Sequence, residues 1–556
     1  MKLSEIVYVR PKKEDILSEI ASATTRFLQA KSAKEQICIE EKLQAFLENF
    51  YTMSTLADIR YSTNSNDEYY KSERDFYNET SPEIQTMVAQ FYGNYLKSSF
   101  INELKKHYPP IFFTNLEMQL KTADESVIPL LIEENGLRMG FGKASRKVRF
   151  EFNGEQHSPA TIEKYKNNPD RELRKGAYMA WGTSLNTVAE DLDVVFDDMV
   201  KLRTKIANKM GFNSFTELGY LRAGRNCYNK SDVKTFRELV LKHITPLCAE
   251  IRDKVKTQLG IEKNMLYDNG VFTSNEPKPI GTVEDIFSNG IKMYSEMSTE
   301  TGRLMKKLID WEAIDVIARD GKRQGGFCTS LSNYKLPYIF ANFNGSLGDL
   351  DVLTHEFGHA FAAEKAFEIP FTTLRNGSSE TSETHSMSME FLTYPWMNLF
   401  FGDKLSEYKL NHLGSAICFL PYAVIIDYFQ EWSYDNPNAS PSERNNKWKE
   451  LDELFCPFLS TEGIPFFADG RRWQRQPHLF FSPFYYVDYA IARVVSLQLF
   501  SLMQKDFSLA FNKYLKFLNL GGTLPFTELI KSAGLDSPFE EKTFENISEI
   551  ISKELL

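Results

Sequence analysis

Histidine is scarce in this chain, with 8 residues in 556, and cysteine is scarcer, with 6. Cys38, Cys227, Cys248, Cys328, Cys418 and Cys456 have no paired spacing. That excludes a zinc site built on cysteine pairs and points to reduced thiols rather than a disulfide framework. No block of Lys or Arg interrupts a net charge of -10, so there is no nucleic-acid footprint. The charges at Arg10, Lys12, Lys13, Glu14 and Asp15 are followed by no apolar core of a secretory signal. The most apolar run, 416–426, contains Pro421, ends at Asp427 and is too short to span a bilayer. There is no internal repeat and no low-complexity tract. These absences predict a cytoplasmic protein without nucleic-acid or membrane partners, and they leave the oligomeric state open.

What is present is apolar and aromatic. Hydrophobic residues make up 42% of the chain, including 43 Phe and 26 Tyr, enough for a large core and suited to a cleft that handles peptide side chains. Apolar positions three and four apart (Ile16 and Ile20; Leu43, Phe46, Leu47 and Phe50) predict helices over 14–60. Ser81-Pro82-Glu83 reads as a helix start and Pro109-Pro110 as a stop. Residues 117–135, with Ala123 among their apolar positions, read as two short helices or one bent one. Val148 to Phe152 alternates and runs into Asn153-Gly154, a hairpin signal. Helix openings follow at 158–161 and at 169–172. Residues 264–282 are a break, and Thr282 to Asp285 caps the next helix.

The chemistry concentrates in His355-Glu356-Phe357-Gly358-His359. On a helix, positions i and i+4 lie about 40° apart, so both imidazoles can reach one ion. Zn²⁺ favours two such ligands, a third from the protein and one open position. Glu356 is placed to act as general base toward water at the ion. Ser346 to Asp349 reads as the capped start of this helix. Just upstream, 338–343 is a short aromatic, β-prone run, an internal strand or an edge strand able to pair with an extended peptide. Phe340, Ala341 and Asn342 are therefore candidate substrate-binding residues. For the third ligand, Glu380, Glu383, His385 and Glu390 are candidates. Glu383 and Glu390, seven apart, share a helix face, so one can ligate while the other orients a histidine. Spacing does not choose between Glu383 and His385.

These motifs, with Gly325 to Thr329, Phe340 to Gly345, Asn213 to Tyr220 and His478 to Tyr489, resemble the oligoendopeptidase F branch of the thimet oligopeptidase family of zinc metallopeptidases. The resemblance implies a mainly α fold, a two-lobed helical clamshell enclosing a deep channel, with a small β element beside the metal helix. It implies one Zn²⁺ per chain on His355, His359 and Glu383, with Glu390 behind them. It makes Glu356 the general base of an endopeptidase that hydrolyses internal bonds of short peptides. It assigns catalytic roles to His478, Tyr485 and Tyr489 and a substrate contact to Tyr486. His385, two residues from Glu383, points about 200° away from it on a helix and is read as a packing or substrate-adjacent residue. The expected lobes are 1–195 and a catalytic 196–556. Two rivals are a helical metallocarboxypeptidase, which needs a cationic clamp that the sequence positions of Arg375, Arg471, Arg472 and Arg475 do not exclude, and a non-catalytic peptide-binding protein with a structural metal. A structural zinc is normally closed by four protein ligands, and Glu356 would then be idle.

Overall fold

Helices dominate, and their ends follow side-chain chemistry. The computed structural model describes residues 1–122, 124–157, 162–166, 168–274 and 276–556; Ala123 and the helix opening expected at 158–161 lie outside them. Ser32, Asp67, Asp170, Ser298 and Asp506 accept backbone N–H groups as N-caps. Thr282 with Asp285, and Ser440 with Glu443, form reciprocal capping boxes.

The start expected at Ser81-Pro82 is instead the interior of one helix, Glu68–Gly93. Asp67 already caps that helix upstream, and Tyr77, Ile84 and Phe91 bury its face on both sides of the proline. That burial offsets the single backbone bond Pro82 cannot make. Tyr108 and Pro109 separate helices Ile101–His107 and Pro110–Thr122, the second opened by Pro110, and a further helix, Ile128–Lys147, follows. Strands β1 (Phe150–Phe152) and β2 (Glu155–His157) pair across Asn153 (φ 53°) and Gly154 (φ 76°), the left-handed pair that a two-residue hairpin turn requires.

Contacts group the chain into two units of three segments each. One holds Met1–Lys121, Lys278–Gly402 and Leu502–Leu535; the other holds Thr122–Pro277, Asp403–Ser501 and Asp536–Leu556. This grouping differs from a single boundary near residue 195. Such a cut would divide helix Ala189–Lys209 and part Arg203 from Glu134, buried partners 2.7 Å apart.

The first unit carries a three-stranded sheet of β3 (Ile314–Ile317), β4 (Phe327–Leu331) and β5 (Leu336–Phe343), in the order β3-β5-β4. β5 runs parallel to β3 and antiparallel to β4. The run 338–343 is thus part of the central strand, not an edge; β3 and β4 are the edges. In the second unit, helix Leu405–Asp435 continues through Pro421 for 31 residues. With the residues before it, this stretch is long and apolar enough to cross a membrane, more than the run 416–426 suggests, but 72% of its most apolar window is buried inside the protein.

Candidate active site

The helix Leu347–Ala366 presents the two histidines of the motif. Ser346 makes no side-chain cap there. Asp349 reaches back instead and accepts the N–H groups of Asn344 (2.9 Å) and Gly345 (2.6 Å), which fixes the turn from β5 into the helix. Phe357, on the opposite face from the cavity, stacks on Tyr294 with ring centroids 3.5 Å apart. Gly358 has the decisive packing role. A Cβ there would lie 2.7 Å from Ser386 Cα and 2.8 Å from the His385 carbonyl oxygen. Lacking one, it lets helix Ser379–Leu392 approach backbone to backbone, which brings Glu383 and Glu390 to the histidines.

The outcome is a convergent set of donors. Glu383 Oε2 lies 3.6 Å from His355 Nε2 and 4.0 Å from His359 Nε2. These separations are too long for hydrogen bonds, yet close to the ~3.3 Å edge of a tetrahedron with bonds of about 2.0–2.1 Å around zinc. His355, His359 and Glu383 are the group able to hold a metal ion among the described residues; His385 is not part of it. Glu390 Oε1 meets His355 Nδ1 at 2.7 Å, so Nε2 is the nitrogen left to face the ion. Two imidazoles and a carboxylate, one imidazole oriented from behind by a second carboxylate, fit zinc with a position open for water or substrate.

The electrostatics agree. Burial pushes His355 down, but the Glu390 hydrogen bond and the charges of Glu390, Glu383 and Glu356 outweigh it, leaving His355 above its ordinary value. Burial and the neighbouring His355 hold His359 down at about 3, so it is the neutral imidazole a metal needs. Glu356, only 8% exposed, is pushed up to about 7 by burial, with His355 opposing and Glu383 adding. A carboxyl poised there can exchange a proton near neutral pH.

His355, Glu356 and His359 open into a cavity of about 600 Å³ in the first unit. One wall is β4, through Phe327, Cys328 and Thr329. Phe340 and Ala341 are buried, and Asn342 Nδ2 donates to the Arg323 and Gly325 carbonyls at 2.8 Å each. The edge available for a peptide backbone passes from β5 to β4, because β5 has a strand on each side.

In the second unit, His478 is ringed by the predicted tyrosines. Its ring centroid lies 5.9 Å from Tyr485, 4.9 Å from Tyr486 and 6.2 Å from Tyr489. Tyr485 precedes helix Tyr486–Met503 rather than lying in it, yet its ring meets Tyr489 at 5.1 Å. The turn is anchored from below. Phe484 adopts φ 67° and donates its N–H to Gln430 Oε1 at 2.8 Å. Arg225 donates to the Phe484 carbonyl and, at 2.9 Å, to Asp488 Oδ1.

Residues 164–549 match the model of peptidase family M3, and residues 3–123 match that of the peptidase M3 N-terminal domain. The chain belongs to peptidase family M3. Among solved structures it is similar to PZ peptidase A determined with an inhibitor, at 37% identity over the whole of both chains and a TM-score of 0.91. A Bacillus anthracis str. Ames structure carrying the oligoendopeptidase F name is 35% identical, with 100% of this chain and 98% of that one covered and a TM-score of 0.86. Oligopeptidase PepF of Bacillus subtilis (strain 168) is 24% identical over 415 residues. That match takes in 69% of this chain and spans 58% of PepF's length. The oligoendopeptidase F resemblance read from the motifs agrees with these relatives.

Three further residues of the cavity wall, Asn376, Gly377 and Leu518, carry no motif in the sequence. His385 was named, and the fold explains its position: Tyr514 donates to its carbonyl at 2.8 Å and Phe517 packs on its ring at 5.4 Å. Burial pushes it down to about 3, and its Nε2, with no partner among the described residues, belongs to a side chain of the cavity wall.

Proposed function

We propose that this chain is a zinc-dependent endopeptidase that hydrolyses internal bonds of short peptides in the cytoplasm. The observation that carries this reading is the convergence of His355 Nε2, His359 Nε2 and a Glu383 oxygen on one point beside a buried Glu356. When bound, zinc would supply Lewis acidity toward the scissile carbonyl and toward water. Glu356 takes the proton of the attacking water and hands it to the leaving amine, a task suited to a carboxyl held near pKa 7. Glu390 keeps His355 oriented. The free edge of β4 aligns an extended peptide by backbone pairing, with Phe340, Ala341 and Asn342 acting behind it as support. His478, Tyr485 and Tyr489 act as donors to the carbonyl oxygen as it gains charge, and Tyr486 contacts substrate; these roles rest on the family resemblance.

Mass spectrometry of a mixed peptide library, incubated with and without a chelator, tests the reading. Internal cleavage that the chelator abolishes and zinc restores is expected, including cleavage of peptides blocked at both ends. Release of single C-terminal residues only, with blocked peptides left intact, would replace it with a carboxypeptidase. No cleavage by zinc-loaded protein would replace it with a binding protein. Tyr489→Phe is expected to lower kcat more than it raises KM if the hydroxyl serves the transition state.

A further inference from the structure

The cavity does not end at the metal donors. From His359 to Ala366, both in its wall, the helix rises roughly 10 Å, and the chain after that end carries Arg375, which bonds back to the Ile369 carbonyl. Arg375 also lines the cavity, and it is held on two sides: Nη1 donates to Glu48 Oε1 at 2.7 Å and Nε to the Ile369 carbonyl at 3.3 Å. Among the described residues its Nη2 has no hydrogen-bond partner. The guanidinium is mostly covered, with 19% of the side chain exposed.

The loop that carries Arg375 is rigidly seated. Gly522 donates its N–H to the Leu374 carbonyl at 3.0 Å. Gly521 has φ 49°, and a Cβ there would strike Ile369; one at Gly522 would strike the Asn376 carbonyl. The glycine pair ending helix Phe507–Leu520 therefore forms a socket for 369–376 that no other residue pair fits. Nη2 keeps its N–H donors, and a guanidinium held in place in this way suits a charge-assisted bond to a carboxylate.

We propose that Arg375 is a specificity-determining residue that binds a carboxylate of the peptide, several residues from the bond that reacts. Glu48 and the Gly521-Gly522 socket preset it. The carboxylate is either the free C-terminus or an acidic side chain; both present the same anion. This inference rests on the peptide-hydrolysing reading of the same cavity, but its test reads binding alone.

The test uses the full chain carrying Glu356→Gln, loaded with zinc, and isothermal titration with a hexapeptide of uncharged side chains. Three forms are compared: the free acid, the C-terminal amide, and amides with one Glu placed at successive positions. With Arg375 present, the free acid or one Glu-bearing amide should bind about 10- to 100-fold tighter than the plain amide, and which of them does identifies the source of the carboxylate. In Arg375→Gln/Glu48→Gln, which leaves no unpaired charge behind, that ratio should fall below about 2-fold, while Arg375→Lys keeps part of it. Melting temperature and zinc content check that the variants are folded. An unchanged ratio in the double variant, no preference for any anionic form in its Arg375 parent, or no binding of any form overturns the proposal. Absence of cleavage by the unmodified chain counts against the endopeptidase reading instead.

Discussion

Both units bury charge, and the metal-donor cluster of the first differs from three closed pairs of the second. In the second unit Arg225 and Asp488 are fully buried and meet at 2.9 Å, with Tyr228 adding a bond to the same carboxylate at 3.3 Å. Arg203 meets Glu134 at 2.7 Å, and Arg237 meets Asp427 at 2.7 Å. Each of these three cations has its anion in direct contact. In the first unit Glu383 stands 3.6 and 4.0 Å from two imidazoles and closes on neither. That spacing leaves room for an ion between the three donors, whereas the closed pairs leave none.

The sharpest way to test that contrast is Glu356→Gln, which removes a proton acceptor and leaves the donors in place. Peptide turnover should fall by about 10²- to 10⁴-fold, with zinc content by elemental analysis unchanged; full turnover would sink the general-base role. Next, Arg225→Met should destabilise by about 3–5 kcal/mol in denaturant unfolding, because Asp488 is left buried and unpaired. Arg225→Met/Asp488→Leu should recover most of that loss, as expected of a pair that is structural. Glu390→Gln is expected to weaken zinc binding about 10- to 100-fold in chelator competition. If zinc affinity were unmoved, the carboxylate behind His355 would belong with the structural pairs. The smallest effect is expected for Asp349→Ala, which frees two N–H groups at the start of the histidine helix. It should cost about 0.5–2 kcal/mol in thermal unfolding and leave the zinc stoichiometry as it was.

Local signals are legible where they act locally. The Asn153-Gly154 hairpin, the Thr282/Asp285 capping box and the i, i+4 histidines each depend on residues a few positions apart, so spacing was enough. Pro82 misled because a proline is favourable at a helix start and tolerable inside one; burial of Tyr77 and Ile84 on either side decided it. The aromatic run 338–343 suggested a strand correctly, but whether it is an edge depends on β3 and β4, which pair with it from both sides. The grouping into units was not legible either, since each draws on three separated segments.

By itself the sequence determined the donor types and their helical spacing: two imidazoles four apart, a carboxylate between them, and two more carboxylates seven apart. Periodicity and side-chain chemistry need nothing else. The tertiary structure alone decided which carboxylate faces the imidazoles and which stands behind His355, because that depends on the close helix approach allowed at Gly358. It also decided that β4 is the edge strand in the cavity wall and that Arg375, 20 residues beyond His355 in number, shares that cavity. Those facts arise from backbone approach and strand order between distant segments, and spacing along a chain does not encode them.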